Sequence, residues 1–219
     1  NLLAKGDVLH IAFGSGMTPS VNNARKAAET LKEKYPDRKL IIVDSLCSCC
    51  GYGLIVDSVA DYRDTGANLE ETAKYAEENC TRICHQFFST DIKYFKRSGR
   101  VSGPAATVAS ILGICPIMHL DLKGKIVAYD KARGKKNAVN ATVNEILEQA
   151  DNGRDYDGKC FIGQSNCMED ALMTASALEK AMPNLKGKIK IFDIGTIIAS
   201  HCGPGTVAVF FFGTKTHVD

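Results

Sequence analysis

Residues 194–212 read IGTIIASHCGPGTVAVFFF and place one histidine, His201, between two strongly apolar arms. The arms, residues 196–199 and 206–212, are rich in β-branched and aromatic side chains, which predicts two buried strands. Between them the Gly-Pro-Gly run at 203–205 predicts a sharp reversal, because proline fixes φ and glycine accepts angles forbidden to other residues. The pattern predicts an imidazole at the edge of a core, within reach of a ligand. The alternative for a lone histidine is structural: its ring satisfies a backbone carbonyl at a turn.

Composition excludes several functional classes. The 219 residues suffice for two modest domains or one large one, with the 45% hydrophobic content of an ordinary globular protein. A net charge of +2, with basic residues spread along the chain, argues against a nucleic-acid partner. No apolar run approaches the ~20 residues of a membrane span, so we expect no stable membrane insertion. Without a signal peptide or a disulfide-framework spacing among the nine cysteines, we expect a cytoplasmic protein.

The N-terminal part alternates predicted strands and helices. Residues 7–13 and 39–44 read as strands, and residues 21–34, 51–63 and 69–84 read as helices. This is the βαβ pattern of a parallel sheet. The chain lacks an initiator methionine and enters its first strand within a few residues, which suggests a fragment of a longer polypeptide.

After residue 84 the pattern changes. Residues 115–121 and 125–130 flank a tight turn and predict a hairpin, so antiparallel pairing enters here. Six strands are counted after Phe87, including both arms of the opening stretch, and helices are predicted at 104–112, 135–150 and 169–182. We therefore predict a two-domain α/β protein. Residues 1–84 form a partial, N-terminally incomplete parallel α/β domain, and residues 85–219 form a domain with a mixed or antiparallel six-stranded sheet and helices.

The loop GSGMTPS, residues 14–20, lies between a predicted strand and a helix N-terminus, where free backbone donors favour an anion. Ser15 and Thr18 add hydroxyl groups, although such residues often serve only as caps. The loop lacks the Gly-Lys-Ser/Thr ending of nucleotide hydrolases and is not GxGxxG. Asp44 closes the next strand at the expected ligand edge of the sheet. Ser15, His201 and Asp44 make a hydrolytic triad conceivable, but the GxSxG elbow is absent.

The run Cys47-Ser48-Cys49-Cys50 is the one unusual cysteine cluster. Cys80 and Cys84 are its candidate partners, one turn apart on a predicted helix, but the spacing matches no zinc site well. We interpret the cluster as small buried thiols at a strand end. A metal or redox protein that uses Cys47, Cys49 and Cys50 stays as an alternative.

Several motifs occur in an order and spacing found in one known family: GSGMT at 14–18, VDS at 43–45 with GYG at 51–53, YFKRSGR at 94–100, ICPI at 114–117, ARG at 132–134 and SHCGPG at 200–205. The chain thereby resembles the DegV family of bacterial fatty-acid-binding proteins over essentially its whole length. The Gly-Arg ending at Arg100 and the His-x-Gly-Pro-Gly tail at His201 are the most specific pieces. Two departures are TPSV at 18–21, where the family usually has Ser-Gly-Thr-Tyr, and ASH at 199–201, where it has Gly-Thr-His.

The resemblance implies a carrier that holds one long-chain fatty acid in an interdomain tunnel and presents its carboxylate to a separate, ATP-binding fatty acid kinase subunit. No catalytic residue, metal or cofactor is expected in the carrier itself. The family's longer N-terminus implies a missing strand and Thr-Ser loop. The implied contacts are the head-group residues Ser15, Thr18, Ser200 and His201, the partner or acyl-phosphate residues Arg97, Arg100 and Arg133, and the candidate tunnel-wall residues Ile111, Leu112, Ile114, Ile117, Met118 and Ile197.

The main alternative is an enzyme that transfers an acyl or phosphoryl group through Ser15 and His201. Against it, the sequence shows no general base, metal seat or nucleotide loop that completes such machinery.

Overall fold

The computed structural model describes residues 1–102 and 113–214. Its N-terminal part contains β1 (Val8–Ala12), α1 (Ser20–Lys34), β2 (Leu40–Asp44), α2 (Cys49–Asp64) and α3 (Leu69–Cys80). Strands β1 and β2 pair in parallel, with Val8 opposite Leu40. The predicted parallel βαβ unit is confirmed.

The second part is built on one mixed seven-stranded sheet with the strand order β4-β6-β5-β3-β9-β7-β8. Strand β3 pairs antiparallel with β5 and β9, and the edge pairs β4–β6 and β7–β8 are parallel. The strands are β3 (Ile83–Ser89), β4 (Val101–Ser102), β5 (Ile114–Leu120), β6 (Ile126–Arg133), β7 (Phe161–Ser165), β8 (Lys190–Asp193) and β9 (Thr206–Phe212). The helices are α4 (Lys93–Ser98), α5 (Lys135–Gln149), α6 (Met168–Ala181) and α7 (Thr196–Cys202).

The mixed α/β class is confirmed, but one arm of the opening stretch is a helix. Residues 196–199, predicted as a strand, begin α7. Ile198 is half-buried, Cys202 is buried and Ile197 is 79% exposed, which is the i, i+4 burial of a helix rather than strand alternation. The sheet therefore has seven described strands rather than six, because β3 and the short β4 join it and this arm does not.

The predicted reversal after α7 is confirmed. Gly203 and Gly205 have φ values of 72° and 81°, in the left-handed region that favours glycine. A Cβ atom at Gly203 would lie 2.2 Å from the Tyr94 ring, so the glycine lets the end of α7 pack closely against α4.

The predicted helix over 69–84 ends early. Helix α3 stops at Cys80 and β3 begins at Ile83, so Cys84 lies in a strand and not one helical turn from Cys80. All seven residues of this central strand are buried, and tertiary pairing overrides the local helical preference. The predicted division at residue 84 falls beside the start of β3 and stays a prediction. The predicted helix 104–112 lies wholly outside the described residues.

The seven-stranded sheet separates two hydrophobic cores. We call the cavity face the side that carries Phe87, Ala208 and Phe210, which pack with residues of α2, α3, α4 and α7. We call the packed face the side that carries Phe88 and Phe211, which pack with residues of α5 and α6. Adjacent residues of one strand serve opposite faces because strand side chains alternate. Among the residues that the structure describes, no helix is long and apolar enough to cross a membrane.

Candidate functional site

An outer cavity of about 450 Å³ lies between the β1–α1 loop, α4 and α7. The loop contributes Phe13, Met17 and Thr18, and α7 contributes Ile197, Ile198, His201 and Cys202. The remaining lining residues are Ser48, Phe95, Arg100 and Ile126. The cavity thus joins the N-terminal unit to the seven-stranded sheet.

An inner cavity of about 50 Å³ continues over the cavity face of the sheet. Its own wall is almost wholly apolar and includes Phe87, Ala208 and Phe210. It shares five lining residues with the outer cavity: Ser48, Phe95, Ile126, Ile198 and Cys202. The two cavities are therefore adjacent, with the partly polar one at the opening and the apolar one over the sheet.

The polar side of the outer cavity is formed by Thr18, Arg100 and His201. His201 occupies the last turn of α7 and is half-buried, and within residues 1–102 and 113–214 its ring has no hydrogen-bond partner. The exposed Arg100 guanidinium donates to the carbonyl of Ser98, which holds it beside the end of α4. A hydroxyl, an imidazole and a guanidinium can together donate to an anion.

Close backbone packing fixes the β1–α1 loop at this opening. A Cβ at Gly16 would lie 2.3 Å from the carbonyl oxygen of Gly124, in the β5–β6 turn, so only glycine fits there. The Asp44 Oδ1 atom accepts hydrogen bonds from the backbone N–H groups of Ser15, at 3.0 Å, and Leu46, at 3.1 Å. Asp44 therefore ties two loops together.

Two predicted head-group residues do not reach the cavity. Ser15 is exposed and lines neither cavity, because the turn closed by the Met17 N–H to Gly14 carbonyl bond brings Met17 and Thr18 to the wall instead. Ser200 is exposed, and its hydroxyl donates to the Ile197 carbonyl at 2.7 Å. The expected convergence of Ser15 with His201 is not found: Thr18, from the same loop, shares the cavity with His201.

The predicted tunnel-wall residues are divided between several places. Ile197 lines the outer cavity. Met118 belongs to the core of the cavity face but lines neither cavity, and Ile117 lies in the opposite core. Ile114, paired with Arg133 at the end of the β5–β6 hairpin, also lines neither cavity. Ile111 and Leu112 lie outside the described residues.

Of the three predicted partner-contacting arginines, only Arg100 lines the outer cavity. Arg97 lies over the Tyr94 ring, 5.9 Å from its centroid, on the exposed side of α4. Arg133 is the last residue of β6, whose first residue, Ile126, lines the cavity. At ~3.3 Å per residue these strand ends lie roughly 20 Å apart, so Arg133 is remote from the opening.

A second histidine, His85, lines the inner cavity and was not predicted from the sequence. It is 3% exposed; its Nδ1 lies 3.1 Å from the Ile83 carbonyl and its Nε2 accepts from the Ser48 N–H at 3.2 Å. These partners require a neutral ring protonated on Nδ1. The available signal was strand alternation, because His85 and Phe87 share one face of β3.

Residues 1–102 and 113–214 contain no group of three or more His, Cys, Asp or Glu side chains that could hold one metal ion. Cys47 is buried, and its thiol donates to the Cys80 carbonyl at 3.6 Å. Cys49 donates to Cys50 across 3.9 Å between the sulfurs. Donation to Cys50 raises the pKa of the Cys49 thiol, with burial adding to the effect, and accepting this bond lowers the pKa of Cys50.

The family model for DegV, described as an uncharacterised protein family, matches residues 1–214. The chain belongs to the DegV family. DegV domain-containing protein CPE0026 of Clostridium perfringens is 35% identical over 206 residues, which cover 94% of this chain and 69% of that relative. YteA of Lactococcus lactis is 28% identical over 215 residues, covering 97% of this chain and 72% of that relative.

Solved structures of DegV proteins share the fold. A DegV family protein from Eubacterium eligens, loaded with heptadecanoic acid, has a TM-score of 0.84 at 20% identity, with 96% of this chain and 74% of that chain covered. The Streptococcus pneumoniae Fatty Acid Kinase (Fak) B3 protein, loaded with linoleic acid, has a TM-score of 0.82 at 20% identity with the same coverage, 96% and 74%. At 20% identity, these similarities show that this chain has the same fold as the two solved structures.

Proposed function

We propose that this DegV protein binds one long-chain fatty acid, with the carboxylate in the outer cavity and the acyl chain directed into the inner cavity. The observation that carries the proposal is that a partly polar cavity and an apolar cavity share five wall residues and so lie side by side. Relatives of the same fold that carry heptadecanoic and linoleic acid support this ligand class.

The head group is held by Thr18 and His201, which donate hydrogen bonds to the carboxylate from two separate elements. A carboxylate taken from water needs donors on both oxygens, and charge-assisted bonds are the strong ones. Arg100 adds a positive charge at the same opening. Ser15 does not contact the carboxylate directly, but its backbone N–H binds Asp44 and helps to fix the loop. Ser200 likewise makes no direct contact, and its hydroxyl bonds within α7.

The acyl chain supplies most of the binding energy. Burial of ~0.8 kcal/mol per methylene gives roughly 11 kcal/mol gross for a ~16-carbon chain, from which ordering and association costs are subtracted. The outer cavity, at about 450 Å³, is of the size that small-molecule sites have. Phe87, Phe95 and Phe210 provide the dry wall that such a chain requires.

The protein presents this carboxylate to a separate fatty acid kinase subunit. That subunit transfers the γ-phosphoryl group of ATP to a carboxylate oxygen, which yields an acyl phosphate and ADP. The relative named as a fatty acid kinase B3 protein supports the role, as does the placement of the polar end in the outer cavity between the β1–α1 loop, α4 and α7. Arg97, Arg100 and, farther along β6, Arg133 contact the partner. The odd number of nine cysteines, without a disulfide-framework spacing, supports a cytoplasmic location.

Denaturing extraction followed by mass spectrometry tests the ligand. We expect about one fatty acid per chain, because the proposal places one carboxylate at one opening. We also expect the lipid-free protein to take up palmitic acid. Absence of lipid together with no uptake of saturated or unsaturated acids of any length would overturn the proposal.

Reconstitution with an ATP-binding fatty acid kinase subunit tests the carrier role separately. We expect acyl phosphate, trapped as the hydroxamate, only when the carrier, kinase subunit, fatty acid and ATP are all present. Turnover of an ester or acyl phosphate by the carrier alone, abolished by Ser15→Ala, would instead support the enzyme alternative.

A further inference from the structure

Two adjacent thiols at the start of α2 take no part in the proposed binding of a carboxylate. Cys49 and Cys50 are the first residues of this helix, and their sulfurs lie 3.9 Å apart. Cys49 lines the inner cavity. A Cβ at Gly163 of β7 would lie 3.2 Å from the Cys50 sulfur and 3.4 Å from the Cys49 sulfur, so both sulfurs pack over the same glycine.

The backbone holds the pair in this arrangement. Cys49 has a φ of 52°, a left-handed conformation that is uncommon for a residue with a side chain. The preceding residue, Ser48, is fixed by the hydrogen bond from its N–H to the buried ring of His85. Gly51 allows close approach of the same ring, since a Cβ there would lie 2.3 Å from the His85 Nε2 atom.

We propose that Cys49 and Cys50 form a vicinal dithiol that an oxidant of the peroxide class converts reversibly to a disulfide. This assigns a modification site to a thiol pair that the proposed carboxylate contacts do not include.

The oxidation needs only the two thiols and one molecule of hydrogen peroxide. The Cys50 thiolate attacks a peroxide oxygen, the O–O bond breaks, and Cys50 becomes a sulfenic acid while hydroxide leaves and takes a proton to become water. The Cys49 sulfur then gives up its proton and attacks the sulfenyl sulfur, which releases a second water. Two thiols and one hydrogen peroxide thus give one disulfide and two waters.

The surroundings favour Cys50 as the attacking thiol. It lies in the first turn of a 16-residue helix, where the helix dipole stabilises a thiolate. The hydrogen bond from Cys49 acts in the same direction and lowers the pKa of Cys50. Cys49, which donates that bond, is already placed to attack the sulfenic acid.

Reversibility follows from the chain geometry. Adjacent Cα atoms are about 3.8 Å apart, which is below the ~4.4–6.8 Å span of ordinary disulfides, so the vicinal bond is readily reduced by thiols. Oxidation also moves the Cys49 sulfur, which belongs to the inner cavity wall. An effect on acyl-chain selectivity rests on the proposed function, whereas formation of the disulfide does not.

Peptide mapping of the lipid-free, reduced protein after hydrogen peroxide treatment and N-ethylmaleimide blocking tests the inference. We expect the peptide with Cys49 and Cys50 to be lighter by two hydrogen atoms and unalkylated, and to regain both alkylation sites after dithiothreitol. Cys50→Ser abolishes this product and leaves Cys49 alkylatable. Cys167→Ser, at another half-buried thiol, leaves it intact.

Two outcomes would overturn the inference. One is full alkylation of Cys49 and Cys50 at peroxide doses that oxidise Cys167. The other is a disulfide from Cys50 to a different cysteine, such as Cys202, which also lines the inner cavity. Both outcomes are read on the wild-type protein, so they do not depend on how the variants fold.

Discussion

Phe87 and Phe88 are neighbours in β3, yet one lines the inner cavity and the other is wholly enclosed by the packed face. The same division separates Phe210 from Phe211 in β9. Both faces carry large apolar side chains, so composition does not distinguish them. What differs is the covering layer. Two long helices, α5 and α6, cover the packed face, whereas the cavity face is covered by α2 and α3 together with the short helices α4 and α7 and the β1–α1 loop, which leave room between them.

This difference indicates that the proposed binding site arises because one face of the sheet is incompletely covered. Apolar residues on a strand become core where helices interdigitate with them and become a tunnel wall where the cover is short. A change on the packed face should therefore lower stability more than fatty acid binding. The matched change on the cavity face should lower fatty acid binding more than stability.

The largest effect is expected for removal of a phenylalanine. Phe88→Ala should destabilise the lipid-free protein by about 3–5 kcal/mol, because it opens a cavity in close-packed core. Phe87→Ala should cost clearly less, since one side of that ring already faces a cavity, but it should weaken fatty acid binding. Denaturant unfolding and palmitic acid titration measure the two quantities. Equal losses of stability would remove the distinction between the faces.

Added methyl groups should affect the two faces in the same order as removed rings. Ala138→Val on the packed face should destabilise by about 1–3 kcal/mol, because residue 138 is fully buried in α5 against well-packed neighbours. Ala208→Val lies on the inner cavity wall and in a strand, where a β-branched residue is favoured. It should change stability less and reduce binding of long acids more than that of short ones. An unchanged chain-length preference would argue against an acyl tail at this position.

The position of the carboxylate can be tested by replacing one histidine at the outer cavity and one histidine away from it. His201→Ala should weaken fatty acid binding about 10- to 100-fold, the range expected for loss of a charge-assisted hydrogen bond of ~1.5–3 kcal/mol. His10→Ala, in the exposed part of β1, should leave the affinity unchanged. The same comparison applies to Arg100→Ala and Arg133→Ala. Equal effects within either pair would place the carboxylate elsewhere.

The smallest effect concerns thiol ionisation. Burial in the packed face raises the pKa of Cys160 to about 12. An unfolded thiol ionises near pH ~8.5, so above that pH the unfolded state binds fewer protons and stability falls, by at most about 1.4 kcal/mol per pH unit, until the folded pKa is reached. Unfolding measured from pH 8 to 10 should therefore show a shallower decline for Cys160→Ala than for wild type. Parallel declines would contradict this assignment.

The sequence predicted the features that local periodicity encodes. The βαβ unit, the β5–β6 hairpin and the Gly-Pro-Gly reversal each follow from residue spacing or turn chemistry. Residues 196–199 were misassigned because a short apolar run does not distinguish a buried strand from a helix with one exposed face. Ile117 and Met118 were both proposed for the tunnel, although alternation places adjacent strand residues on opposite faces.

The candidate site was predicted less fully than the fold. His201 and Thr18 follow from motifs, and both line the outer cavity. The exclusion of Ser15 depends on one backbone turn, and the remoteness of Arg133 depends on the length of β6. His85 became visible only when β3 was known to be a central strand with one face against a cavity.

The most direct measurement of the central claim is photolabelling with a fatty acid that carries a diazirine at its terminal carbon. If the acyl chain runs into the inner cavity, adducts should map to Phe87 of β3 and to Ala208 or Phe210 of β9. Unlabelled palmitic acid should compete with them. Competable adducts on α5 or α6, behind the packed face, would contradict the account.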